Sequence, residues 1–182
     1  MHSELYREFE ERVISARQAR QSLVIEGGNS KHFYGRSVTG DIISTQQCSG
    51  IIAYEPTELV VTAFAGTPLN ILEKTLVAKG QRLAFEPPCF TPATTIGGVI
   101  ASGLAGPARP YLGSVRDYVL GVKCLTGRAE VQTFGGQVMK NVAGYDVSRL
   151  MTGAMGTLGL LLEISVKVMP VNEFELSLTK TT

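Results

Sequence analysis

The stretch Phe85-Glu86-Pro87-Pro88-Cys89-Phe90-Thr91-Pro92-Ala93-Thr94-Thr95-Ile96-Gly97-Gly98-Val99-Ile100-Ala101-Ser102-Gly103-Leu104-Ala105-Gly106 joins a proline-rich loop to a run of small, nearly uncharged residues. Prolines fix φ and remove backbone donors, so they hold a loop in one shape. Glycine lets another group approach the backbone closely. A core segment normally fills its space with large apolar side chains. This one carries few, so the sequence predicts either a flat cofactor beside it or a helix N-terminus packed tightly on a sheet.

Around this stretch, the 182 residues are 44% apolar and 18% charged, the composition of a globular chain large enough to bury a core. The formal net charge of +1 lacks the basic excess of a dedicated nucleic-acid binder. Cys48, Cys89 and Cys124 are widely spaced and odd in number, with no C-x-x-C pair. They read as reduced thiols, with no zinc site or disulfide framework and no metal expected. The segment Met1 to Arg20 is charged throughout and is no signal peptide, and the apolar runs are too short to span a bilayer. The expectation is a soluble cytoplasmic protein, membrane-associated at most through partners.

Apolar periodicity gives the elements. Leu5, Phe9 and Val13 fall four apart and predict a helix over Ser3 to Arg20. Leu23 to Ile25, Asp41 to Thr45, Ile51 to Tyr54 and Leu59 to Phe64 read as short strands. Thr67-Pro68 reads as a hydroxyl N-cap and first helical proline for a helix Pro68 to Lys79, with Leu69, Leu72 and Leu76 on one face and Gly80 as the stop. Gly106 to Tyr111 reads as a loop. Val119 to Leu125 and Ala129 to Phe134 flank a hairpin turn. Val147 to Ala154 reads as a short helix, with Asp146 as its N-cap. Leu160, Leu162, Ile164, Val166 and Val168 alternate as one face of a half-buried strand. Phe174 to Leu178 reads as the start of another strand. Strands outnumber crossover helices, so the fold class is α+β. The division falls near Glu55, giving a smaller subdomain 1–55 and a larger one 56–170. Residues 171–182 read as the start of a further C-terminal region.

Three glycine-rich stretches are candidates for chemistry. Gly27-Gly28-Asn29-Ser30-Lys31 follows a strand directly, and successive amides in such a turn form a concave nest for an anion. The same residues also make an ordinary surface turn. The spacing is neither G-x-x-x-x-G-K nor G-x-G-x-x-G. Thr94-Thr95-Ile96-Gly97-Gly98 lies in the opening stretch and either lines a flavin or begins a packed helix. Gly153-Ala154-Met155-Gly156-Thr157-Leu158-Gly159 is either a second close-approach site or a helix cap and turn. Lys140 to Asp146 is a polar loop before the short helix.

Taken together, these stretches resemble the FAD-binding domain of the vanillyl-alcohol-oxidase (PCMH-type) flavoprotein family. Within it the similarity is to the FAD-binding subunits of bacterial glycolate oxidases. It is carried by Glu26 to Lys31, Tyr54-Glu55-Pro56-Thr57-Glu58-Leu59-Val60-Val61, Phe85-Glu86-Pro87-Pro88, Gly113 to Val122, Gly135 to Asp146 and Gly156-Thr157-Leu158-Gly159. The resemblance implies two α/β subdomains with FAD in the cleft between them. It implies that Gly27, Gly28, Asn29, Ser30 and Lys31 hold the pyrophosphate. Pro88, Thr94, Thr95, Ile96, Gly97, Gly98, Ser102 and Gly103 would approach the flavin and ribityl chain. Arg116 and Asp117 would lie near the cleft, and Gly156, Thr157, Gly159 and Leu160 would approach the adenine end. Some relatives carry His after the Gly-Gly pair and bind flavin covalently. Asn29 stands there in this chain, which implies non-covalent FAD, a cofactor that the isolated chain can lack; the isolated chain is not expected to be active alone.

The activity implied is oxidation of glycolate, a small 2-hydroxy acid, to glyoxylate. Electrons would pass through flavin to a flavin-containing catalytic subunit and an iron–sulfur subunit. Such chemistry needs a cation for the carboxylate and a base for the hydroxyl proton. Arg36, Arg109, Arg116 and Arg149 are available cations, but His2 and His32 sit in no catalytic context and no catalytic residue is singled out. The alternative is a non-catalytic flavin-fold module that docks the catalytic and iron–sulfur subunits.

Overall fold

Strand β8 (Leu160–Pro170) is the axis on which the other elements are laid. The computed structural model describes residues 2–136 and 145–179. In order they form α1 (His2–Ala19), β1 (Leu23–Glu26), β2 (Asp41–Ser44), β3 (Ile51–Glu55), β4 (Val60–Phe64), α2 (Leu69–Val77), β5 (Gln81–Leu83), α3 (Ile96–Ser102), α4 (Arg109–Leu112), β6 (Val119–Leu125), β7 (Val131–Gly135), α5 (Val147–Met151) and β8. Short 3₁₀ turns precede β4 and β6. β1 and β2 form a two-stranded parallel sheet. The larger sheet has the order β3-β4-β8-β6-β7, with β5 paired to the far end of β8. Its pairings are antiparallel. The change of sheet thus falls between Ser44 and Ile51, and the fold is α+β.

β8 serves two cores because it carries a bulge. Lys123 of β6 pairs with Glu163, but the next residue, Cys124, pairs with Leu161, so Leu162 is the extra residue. An extra residue shifts the two-residue alternation of side chains. The sequence placed Leu160, Leu162, Ile164, Val166 and Val168 on one face. In the structure Leu160 and Leu162 pack with Phe9 of α1 and Ile43 of β2. Leu161, Ile164, Val166 and Val168 join the larger core, with Leu69, Leu72 and Leu76 of α2 and Ile96, Val99 and Ile100 of α3. Tyr6 of α1 donates to Glu163 Oε1, which Lys123 also contacts, pinning the helix to the sheet.

Three other expectations change. Thr67 does not cap α2: its hydroxyl donates to the Gly50 carbonyl and accepts from the Gly50 amide, and the helix begins after Pro68. Gly106 to Tyr111 is not wholly loop, because α4 begins at Arg109 with Pro110 in its first turn, where a missing N–H costs nothing. Phe174 to Leu178 forms no strand; Phe174, Leu176 and Leu178 stand exposed with no neighbouring strand to pair with among the described residues. The N-cap at Asp146 holds: its Oδ1 accepts from the Arg149 amide at 3.1 Å.

Candidate functional site

The site is built where the parallel pair ends. Thr45 ties the end of β2 to β1, its amide and hydroxyl both donating to the Glu26 carbonyl. The chain then turns through Gly27 to Lys31, with Asn29 in the left-handed region at φ +50°. Asn tolerates that conformation better than most residues, and one left-handed residue in a tight turn makes neighbouring amides converge. Among the described residues, none of the amides from Gly28 to Lys31 donates a hydrogen bond. Free ends of parallel strands are where ligands bind in open α/β sheets.

Lys31 lies against this turn. The residue is largely buried, yet among the described residues its ammonium has only the Ser30 hydroxyl, at 3.5 Å, as a hydrogen-bond partner and no carboxylate. Desolvation pushes its pKa down, with the Cys89 thiol acting weakly in the opposite sense. A buried cation without a counter-charge is costly. A bound anion would supply that charge.

The loop of the opening stretch closes on the same turn. A Cβ at Gly28 would lie 1.4 Å from the Ala93 carbonyl oxygen, and one at Gly27 would lie 2.5 Å from Thr95 Oγ1. Backbone therefore touches backbone, which only glycine permits. Thr95 caps α3, its hydroxyl accepting from the Gly98 amide at 3.2 Å. The Ile96 amide donates to the Thr67 carbonyl and the Gly97 amide to the Ala65 carbonyl. The donors at the start of α3 are thus occupied within the chain. Thr94, Thr95, Ile96 and Gly97 are buried, so of these five residues Gly98 alone keeps open surface.

The third stretch completes the cluster. The amides of Gly153 and Met155 donate to the Ile100 and Ala101 carbonyls at the end of α3. Gly103, at φ +66°, caps that end and abuts Gly153, while Ser102 turns its hydroxyl back to the Val99 carbonyl. Gly156, at φ +76°, leaves room for Ile25 of β1, whose Cδ1 lies 3.2 Å from the Cβ position. Thr157 bonds the Ala154 carbonyl, and Gly159 abuts the Leu125 carbonyl. Leu160 is buried in the smaller core.

So the structure brings together Gly27 to Lys31, Thr94 to Gly98, Ser102-Gly103 and Gly156. Pro88 is half-buried in the loop beside them. Arg116 and Asp117 are exposed in the turn before β6. There Asp117 Oδ2 accepts from both the amide and the hydroxyl of Ser114, which holds its carboxyl below the usual range. Of the polar loop Lys140 to Asp146, residues 140–144 lie outside the described residues. Two aromatics that the sequence reading passed over also reach the site. Phe90 lies under Lys31 Nζ, and Phe33 meets Phe90 edge-to-face with centroids 5.0 Å apart. Their signal was an aromatic two residues after Lys31 and another inside the proline loop.

The arrangement fits the diphosphate of a dinucleotide: free amides in a turn with a left-handed Asn29 and a largely buried lysine for the negative charge, with the open surface of Gly98 beside them for a flat group. Among the described residues no cluster of metal-ligating side chains occurs, and no helix is long and apolar enough to cross a membrane.

Comparison with known proteins agrees with this geometry. A family model described as an FAD binding domain matches residues 6–135. The glycolate oxidase subunit GlcE of Escherichia coli is 52% identical over 170 residues, 93% of this chain and 49% of that protein. A D-lactate dehydrogenase of Anaerostipes hadrus is 32% identical over 139 residues, 76% of this chain and 29% of that protein. The glycolate oxidase subunit GlcD of Bacillus subtilis is 31% identical over 135 residues, 74% of this chain and 28% of that protein. The chain thus spans about half the length of the first relative and less than a third of the others.

Proposed function

The chain belongs to the FAD-binding domain family, and we propose that it is the FAD-binding part of a glycolate-oxidising complex. The observation that carries this reading is the nest of unpartnered amides from Gly28 to Lys31 closed by a buried, uncompensated lysine. The similarity to glycolate oxidase subunits supports the choice of substrate.

Oxidation of glycolate to glyoxylate removes two electrons and two protons, and FAD, when bound, supplies the hydride acceptor. In this reading the chain's residues bind and orient. The Gly28–Lys31 amides and the Lys31 ammonium would fix the diphosphate, and the open face of Gly98 would admit a flat part of the cofactor. Asn29 offers no nucleophilic ring nitrogen, so attachment is non-covalent. The two electrons would be passed on to partner subunits, for which an iron–sulfur protein has the suitable chemistry. The smaller sheet with α1 and the larger sheet with α2 and α3 are the two parts between which the cofactor lies.

One observation favours a second reading, an assembly module that docks catalytic subunits. His32, the histidine nearest the nest, is exposed and hydrogen-bonds the Asn29 carbonyl, so it is not placed as a base.

The test is to purify the full chain with its partner subunits, record absorbance in the flavin region, and identify released FAD by mass spectrometry after denaturation. One FAD released for this chain, in excess of the FAD that the partner subunits carry when purified without it, with glycolate-dependent bleaching, is the expected result. A colourless intact complex eliminates the cofactor reading. An active complex that keeps its glycolate turnover when Gly28→Val abolishes FAD in this chain establishes the module.

A further inference from the structure

We infer that Phe90 is a positioning residue that holds the Lys31 ammonium at the mouth of the amide nest for an anionic ligand. The inference rests on the cofactor reading above and adds to it a residue outside the glycine stretches. Lys31 Nζ lies 5.8 Å from the centroid of the Phe90 ring, within the range over which a cation is drawn to an aromatic face. The ring is itself fixed: Phe33 meets it edge-to-face, at 5.0 Å between centroids and 86° between planes. Aromatic pairs favour that arrangement because the positive edge of one ring meets the negative face of the other.

Both rings are open to solvent, at 49% for Phe90 and 60% for Phe33, so filling a core does not account for them. Burial removes part of the lysine's water, and among the described residues no carboxylate replaces it. Besides the Ser30 hydroxyl and the neighbouring Cys89, the ring face is the group that draws the ammonium. An aromatic partner suits this position better than an acid. A carboxylate would neutralise the lysine and repel a phosphate, whereas the ring orients the charge and leaves it available. The contact also couples two loops far apart in sequence, the turn after β1 and the proline loop before α3.

The experiment is a double-mutant cycle on the full chain, with FAD binding followed by fluorescence and ADP-ribose and riboflavin as further probes. Phe90→Leu keeps apolar bulk and removes the aromatic face. A desolvated cation–π contact corresponds to roughly tenfold in affinity. FAD and ADP-ribose should both weaken by about that factor, riboflavin should be unaffected, and Phe90→Tyr should restore wild-type binding. Phe90→Leu added to Lys31→Met should weaken binding no further than Lys31→Met alone. Additive losses in the double variant, or FAD affinity unchanged in Phe90→Leu, overturn the assignment while leaving the cofactor reading intact. Failure of the wild-type chain to bind FAD even when assembled with its partner subunits overturns both. Melting temperatures of each variant show whether it is folded; if Phe90→Leu does not fold, Phe33→Leu, which frees the ring without removing it, is read by the same criteria.

Discussion

Gly28 and Ala93 are in backbone contact: a Cβ on the glycine would sit 1.4 Å from the alanine carbonyl oxygen. Carbonyl and turn both belong to loops already fixed by hydrogen bonds, so neither can retreat as the end of a flexible side chain would. Gly28→Ala must therefore separate the turn after β1 from the proline loop. Overpacking of this kind costs about 1–3 kcal/mol. The expected outcome is a lower denaturant midpoint together with loss of FAD, because the nest and Lys31 move with the turn. A variant of wild-type stability would show that the two loops are not in contact.

Gly98 gives the opposite result. It lies within α3, and its Cβ would meet only Thr95 Oγ1, at an ordinary 3.4 Å. Ala is favoured over Gly in a helix by up to about 1 kcal/mol. Gly98→Ala should leave stability equal or higher by that amount, and should weaken FAD binding because this residue carries the open surface at the start of the helix. Unfolding and binding measured on the same preparation separate the two effects. Unchanged FAD affinity would place the ligand away from α3.

The thiols report on the same loop. Cys48 and Cys124 are buried, and burial pushes Cys48 up to about 11 and raises Cys124 as well. Cys89 is exposed beside Lys31. A thiolate is the reactive form, so a disulfide reagent at neutral pH should modify one thiol in the native chain and three after denaturation. Saturating FAD should slow that single reaction. Fast modification of two or more thiols in the native protein would contradict the burial of Cys48 and Cys124.

Local pattern carried much of the fold. The spacing of Leu69, Leu72 and Leu76 marked the buried face of α2, and all three are fully buried. The glycine stretches marked close approaches, and each is one. What was not legible depends on pairing. The alternation along β8 is unbroken in sequence, because a bulge arises only when Cys124 of β6 pairs past Leu162. Thr67 looks like a cap until Gly50 is brought beside it. Thr94 to Gly98 fitted either a flavin wall or the start of a packed helix, and the packing is visible only once the carbonyls of Ala65 and Thr67 take the donors of Gly97 and Ile96. Phe33 and Phe90 meet only because the two loops do. Phe174 to Leu178 shows the reverse error: its alternation is real, yet alternation makes no strand without an edge to pair with.

Lys31→Met separates the stability of the chain from its affinity for an anion. The lysine's folded pKa is depressed below the ordinary 10.5, with desolvation as the main cause. Below the folded pKa, folded and unfolded chains are both protonated there, and the cost of the buried charge is fully present. As pH rises from the folded pKa toward 10.5, the folded chain loses its proton first and the cost is relieved. The wild type should therefore gain stability relative to Lys31→Met across that window, and at neutral pH the variant should be as stable or slightly more so. Anion binding behaves in the opposite way, because it needs the ammonium. ADP-ribose affinity of the wild type should fall as pH climbs through the same window, with proton uptake on binding. Affinity of Lys31→Met should be weaker and flat. Cys89 is the titratable neighbour whose ionisation would favour the ammonium, so the series belongs in a Cys89→Ser background, with His32 exposed and bonded to the Asn29 carbonyl. Calorimetric titration at several pH values in buffers of different ionisation enthalpy measures affinity and proton uptake together. A wild-type affinity that does not change with pH would remove Lys31 from the anion site.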